Sequence, residues 1–143
     1  MRFWDSSAVV PLLVMQPGSK ETDAWLGEDP VVVLWTLTPV EVTSAVRRLH
    51  REGALAERAA RDAEARIDVL ARAAHVVSDV EAVKASARRL LRTHALRAAD
   101  SMQLAAALAW CSGSPAGCVV HTFDDRLGRA AEREGFDVVP RPA

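Results

Sequence analysis

The chain has 143 residues, of which 50% are apolar and 26% charged, with a formal net charge of -1. That length suits one ordinary domain, 1–143, with a real hydrophobic core, and is too short for two. The composition is too apolar for a disordered chain, and near-neutrality gives no strongly basic field of the kind that advertises nucleic acid.

No apolar run approaches the roughly 18 residues needed to span a membrane. Asp5 stands where a signal peptide would be apolar, so a cytoplasmic protein is expected. Two cysteines, Cys111 and Cys118, read as inert thiols, and the four histidines have no zinc-site spacing.

Phe3-Trp4 reads as a short strand ending at Asp5. Ser6 to Met15 reads as a helix disturbed or kinked at Pro11. Pro17-Gly18-Ser19 is a turn with a helix cap, and a short helix follows to about Leu26. Val31–Trp35 is continuously apolar, a buried strand. Thr38-Pro39-Val40-Glu41 opens a helix with Val42, Ala45, Val46 and Leu49 at helical spacing, and Thr38 with Glu41 fits a capping box. After Gly53, a long helix from Leu55 to Ala73 carries one apolar face of Leu55, Ala59, Ala63, Ile67 and Leu70.

His75–Val77 is a strand candidate. Ser78 and Glu81 form a second capping-box pattern for a helix to about Leu91. Asp100 opens Met102–Cys111, a helix apolar on nearly every side and therefore central. Gly117–His121 is another buried strand, Arg126–Glu134 a last helix, and Phe136–Val139 a last strand. Short apolar strands alternating with helices predict an α/β fold with a mainly parallel sheet covered on both faces.

In open α/β sheets, sites lie beyond the carboxyl ends of the strands. The residues placed there are carboxylates: Asp5 after the first strand, Glu41 in the first turn after the second, Asp100 at the buried helix, and Asp124 after Val119-Val120. Each also fits a helix cap or helix-dipole role taken singly. Four acids in one crevice would repel one another, and a hard divalent cation removes that repulsion. Such a cation activates water and stabilises the leaving oxygen of a phosphodiester. The set therefore points to metal-dependent phosphodiester hydrolysis.

Phe3-Trp4-Asp5-Ser6-Ser7-Ala8, Thr38-Pro39-Val40-Glu41-Val42, Leu96 to Ala105 around Asp100, and Val120 to Leu127 around Asp124 together resemble the four motifs of the PIN-domain nucleases. The resemblance runs from Phe3 to about Val139 and is greatest to the toxin ribonucleases of the VapBC toxin–antitoxin type. Ser6 stands where the family commonly has threonine, and Asp125 where it often has a basic or small residue. Motif position favours Asp124 over Asp125 as the fourth acid.

The resemblance implies a PIN-like sheet of about five strands and cleavage of RNA with Mg²⁺ or Mn²⁺ held by Asp5, Glu41, Asp100 and Asp124. It also implies a homodimer and a cognate antitoxin that blocks the site, with DNA contacted only through that antitoxin. Ser6 and Thr122 are candidates to orient a ligand or water. Arg47, Arg48 and Arg51 on one helix, and Arg88, Arg89, Arg92 and Arg97 near Asp100, are candidates to steer RNA. The Leu55–Ala73 helix and the Trp25-Leu26 region are candidates for the antitoxin groove. His94, His121, Trp4, Trp35 and Trp110 read as structural. The alternative is a PIN-like module that binds protein or RNA without cutting. A receiver domain would want an early acid pair and a late lysine, and a HAD-type phosphatase Asp-x-Asp after the first strand; neither is present.

Overall fold

The computed structural model describes residues 1–143. Five strands form one sheet: β1 (Arg2–Trp4), β2 (Val32–Trp35), β3 (His75–Val77), β4 (Val119–His121) and β5 (Asp137–Val139). Their order is β3-β2-β1-β4-β5, and every pairing is parallel. Seven helices connect them: α1 (Ser6–Leu13), α2 (Ser19–Glu28), α3 (Thr38–Arg51), α4 (Glu57–Ala73), α5 (Val80–Thr93), α6 (Ala98–Trp110) and α7 (Asp125–Glu134). None is long and apolar enough to cross a membrane.

Alternation along each strand sends neighbouring side chains to opposite faces. Trp4, Val32 and Leu34 pack with α1, α3 and α4, while Phe3, Val33, Trp35 and Val120 pack with α5, α6 and α7. That explains why the strands read as continuously apolar: both faces are covered. The expected α/β architecture is present, with the sheet wholly rather than mainly parallel.

The element boundaries differ from the predicted ones for physical reasons. Helical pairing runs through Pro11 and stops at Leu13, because Ala8 to Leu13 are all buried and packing overrides the missing N–H. Ser19 does not cap α2; its hydroxyl donates to the Val14 carbonyl and accepts from the Gln16 amide, so it ties the turn.

Neither expected capping box forms. Leu37 is the N-cap of α3 in a helical conformation, so Thr38 already lies inside the helix and its hydroxyl accepts from Gln103. Asp79, not Ser78, caps α5 through the Ala82 amide. On α4 the buried face is Ala60, Ala63 and Ile67, one residue round from Ala59. Helix α6 begins at Ala98, which places Asp100 inside its first turn. Trp4 and Trp35 are wholly buried, whereas Trp110 is half-buried beside Phe3.

Candidate active site

The connections after β1 and β4 leave the sheet in opposite directions, so a crevice opens where those adjacent strands end. The Asp5 amide donates to the His121 carbonyl at 3.0 Å and closes the seam between them. The Asp5 carboxylate is 3% exposed. Its Oδ2 accepts from the Ser7 hydroxyl at 2.6 Å, the Thr122 hydroxyl at 2.9 Å and the Ser7 amide at 3.2 Å. It is thus both the N-cap of α1 and a bridge from β1 to β4. Burial raises its pKa despite those donors.

Glu41 comes from the first turn of α3. Its Oε1 accepts from Gln103 Nε2 at 2.8 Å, and its Oε2 faces the Ser6 hydroxyl at 3.2 Å. The same hydroxyl lies 3.3 Å from Asp5, so Ser6 joins the two acids. Burial pushes Glu41 up to about 7, with Asp5 and Asp100 adding repulsion against the pull of Gln103 and Ser6. Asp100 rises to about 6 through burial and the charges of Asp124 and Asp5; Arg97 and Arg126 oppose the rise. Asp124 caps α7 by accepting from the Leu127 amide at 2.8 Å, and its own amide donates to the Thr122 hydroxyl at 3.0 Å.

All four predicted acids, Asp5, Glu41, Asp100 and Asp124, line one cavity of about 480 Å³ together with Ser6, Ser7 and Arg48. Asp125 does not line it; its carboxylate accepts from the Ala143 amide instead. The cap readings of Asp5 and Asp124 hold alongside their place in the cavity, whereas Glu41 is not a cap partner.

The donors are all hard oxygens, which suits Mg²⁺ or Mn²⁺. No three of the side chains converge into a cage of their own. Burial is the main cause of the raised Glu41 and Asp100 carboxyls, and the repulsion from neighbouring acids adds to it.

Gln103 and Ser7 are site residues that sequence reasoning missed. Gln103 has a visible signal, an amide one turn beyond Asp100 immediately before the apolar run Leu104 to Trp110. His94 is buried against Glu134. His121 is buried, its pKa is pushed down to about 4, and its ring stacks on Trp25 at 4.6 Å. Both histidines are structural, as expected.

Residues 2–133 match the PIN domain family model. Ribonuclease VapC49 of Mycobacterium tuberculosis is 37% identical over 139 residues, covering 96% of this chain and 94% of the relative. The solved structure of Mycobacterium tuberculosis VapC20, titled a sarcin–ricin loop cleaving toxin, superposes with a TM-score of 0.67 at 19% identity, covering 95% of this chain and 96% of that one. A toxin–antitoxin complex from Klebsiella pneumoniae gives 0.64 at 14% identity, covering 88% of each chain. Matched over nearly its whole length, the chain belongs to the PIN domain family.

Proposed function

We propose that this chain is a metal-dependent ribonuclease serving as the toxin of a toxin–antitoxin pair. The carrying observation is the convergence of Asp5, Glu41, Asp100 and Asp124 on one cavity at the sheet's switch point. The relatives point the same way: VapC49 carries the name ribonuclease, VapC20 that of a sarcin–ricin loop cleaving toxin, and the Klebsiella protein was solved as a toxin–antitoxin complex.

Asp5, Glu41, Asp100 and Asp124 would hold Mg²⁺ or Mn²⁺, some directly and some through water. When bound, such an ion supplies an activated water and charge stabilisation at the leaving oxygen. The protein's own contribution is positioning. Ser7 and Thr122 fix Asp5, Gln103 and Ser6 fix Glu41, and the first turn of α7 fixes Asp124.

For the antitoxin, the reading places a partner segment in the groove of about 330 Å³ between α1, α2 and α4, lined by Leu12, Leu13, Leu26 and Leu70. For the homodimer, it uses the apolar groove beside Glu41, where Leu37, Val40 and Leu91 are exposed. The setting is cytoplasmic, with DNA reached only through the antitoxin.

The test is cleavage of labelled single-stranded RNA by the purified chain with Mg²⁺, Mn²⁺ or EDTA, beside Asp5→Asn and Asp100→Asn. We expect cleavage only with a divalent ion, and a loss of about 100-fold or more in each variant, at or beyond what a single outer-shell partner usually costs. Metal-independent cleavage, or full activity in both variants, would refute the proposal. RNA binding without any cleavage would identify a non-catalytic binding module instead.

A further inference from the structure

A second cleft, of about 300 Å³, adjoins the carboxylate cavity and shares Asp100 and Asp124 with it. Its other lining residues are Arg97, Asp125, Arg126 and Arg129, and it has no apolar wall. Arg97 immediately precedes α6, three residues before Asp100; Arg126 is the second residue of α7, two after Asp124. The turns that deliver two of the acids therefore also deliver two guanidinium groups.

The arginines of this protein divide by partner. Arg47 is held by Glu57 and Glu64, Arg61 by Glu57, and Arg89 by Glu134. Arg66 donates to the Leu12 and Leu13 carbonyls, and Arg129 to the Ala143 carbonyl. Several arginines make no ion pair and no hydrogen bond, Arg48 in the acid cavity among them, and Arg97 and Arg126 are the unpaired ones that line this cleft beside its three carboxylates. Both are exposed. Their charges nonetheless reach Asp100 and oppose its rise in pKa.

Two unpaired guanidinium groups beside a hydrolytic site form an anion site, because the rigid fork matches phosphate oxygens. They would repel a metal ion, so the cleft complements the carboxylate cavity rather than extending it. We infer that Arg97 and Arg126 form a subsite for the RNA phosphate next to the scissile one, so that the strand leaves the acids between α6 and α7. This rests on the ribonuclease reading above. Of the arginines suggested by sequence alone, Arg47 and Arg89 are already neutralised, and Arg126 was not among them.

Binding and chemistry are separated by working in Asp5→Asn, since asparagine keeps the cap acceptor that α1 requires. Anisotropy of a labelled single-stranded RNA of mixed sequence gives the affinity across a salt series, and a gel confirms that the RNA stays intact. Each phosphate contact on a single strand contributes about 0.7 to the slope of log affinity against log salt. Adding R97Q and R126Q is expected to flatten the slope by about 0.7 and weaken low-salt binding by about tenfold. The charge-matched pair R58Q and R72Q on α4 is expected to leave both unchanged. Thermal unfolding and the single variants R97Q and R126Q guard against a folding artefact, each single weakening binding less than the pair.

An unchanged slope in R97Q/R126Q, with the parent still binding, overturns the subsite alone. An equal drop in R58Q/R72Q also overturns it, because binding would then be diffuse. If the parent binds no RNA with or without Mg²⁺, the ribonuclease reading fails and the subsite with it.

Discussion

Gln103 lies wholly buried on α6, and its amide donates to the Thr38 hydroxyl and to Glu41. The bond to Glu41 favours the ionised carboxylate, so removing it raises a pKa that already stands at about 7. Gln103→Leu fills similar space but takes a donor from the buried Thr38 hydroxyl and from the half-buried Glu41 carboxylate. Its expected cost is about 1–3 kcal/mol of stability. The alkaline-going rise of the pH–rate profile should move to higher pH. A thermal melt reads the first effect and cleavage across pH the second; a profile that stays put would mean Gln103 has no hold on Glu41.

At this scale the sequence was informative about residue types and less so about partners. Asp5, Glu41, Asp100 and Asp124 stand out because each follows a strand or opens a helix. Their pairings stand out less: Ser7 is near Asp5 in sequence, but which acid Ser6, Thr122 and Gln103 serve is set by elements distant in the chain. Thr122 is 117 positions from the aspartate it bonds.

Gly18 is the N-cap of helix α2, and its φ of +97° is a conformation L side chains rarely adopt. A Cβ there would lie 2.8 Å from the Phe123 ring. Gly18→Ala should therefore cost at least about 1–2 kcal/mol from the backbone alone. Gly27 lies within the same helix with open space around its Cα. Gly27→Ala should stabilise by about 0.5–1 kcal/mol. Denaturant unfolding of the two variants gives opposite signs if this account is right.

Element existence and type followed from periodicity, whereas helix starts often did not. The Ser78 box is displaced because Asp79 takes the cap one residue later, and the Thr38 box fails because a cap needs an extended backbone at its first residue. The turn after β2 instead puts Leu37 in helical conformation. Thr38 was then free to meet Gln103 across the fold.

Across the whole molecule, the acids couple stability to pH. Asp5, Glu41 and Asp100 have folded pKa values above their unfolded ones, so the folded protein binds more protons in that window. The stabilising contribution of Glu41 and Asp100 is full below about pH 4 and is lost as pH rises through about 6 to 7, and Asp5 acts in the same direction. Asp29, Glu57, Glu64 and Glu134 shift downward, so their contribution is lost only on acidification below the ordinary carboxylate range. In EDTA the melting temperature should fall from pH 5 to 8. Mg²⁺ added at pH 8 should restore it by binding the ionised acids. A flat profile in EDTA, or no response to Mg²⁺, would contradict this.

The net charge of -1 is also resolved at this scale. Some arginines are consumed by acids between helices, as Arg47 is between α3 and α4, while Arg48 lines the acid cavity and Arg97 and Arg126 the cleft beside it. A neutral total is thus compatible with a local positive surface.

By itself, the sequence determined the α/β class and singled out four acids, which the fold brings to one cavity. Both are written in local features: apolar runs of strand length, helical spacing, and carboxylates at the ends of those runs. Only the tertiary structure decided which acids face each other and which arginines stay unpaired, and it places Asp124, the acid motif position favoured, in the cavity and Asp125 outside it. Those outcomes depend on β4 lying beside β1 and on α6 crossing near α3. Long-range packing sets such contacts, and residues far apart in the chain carry no local mark of them.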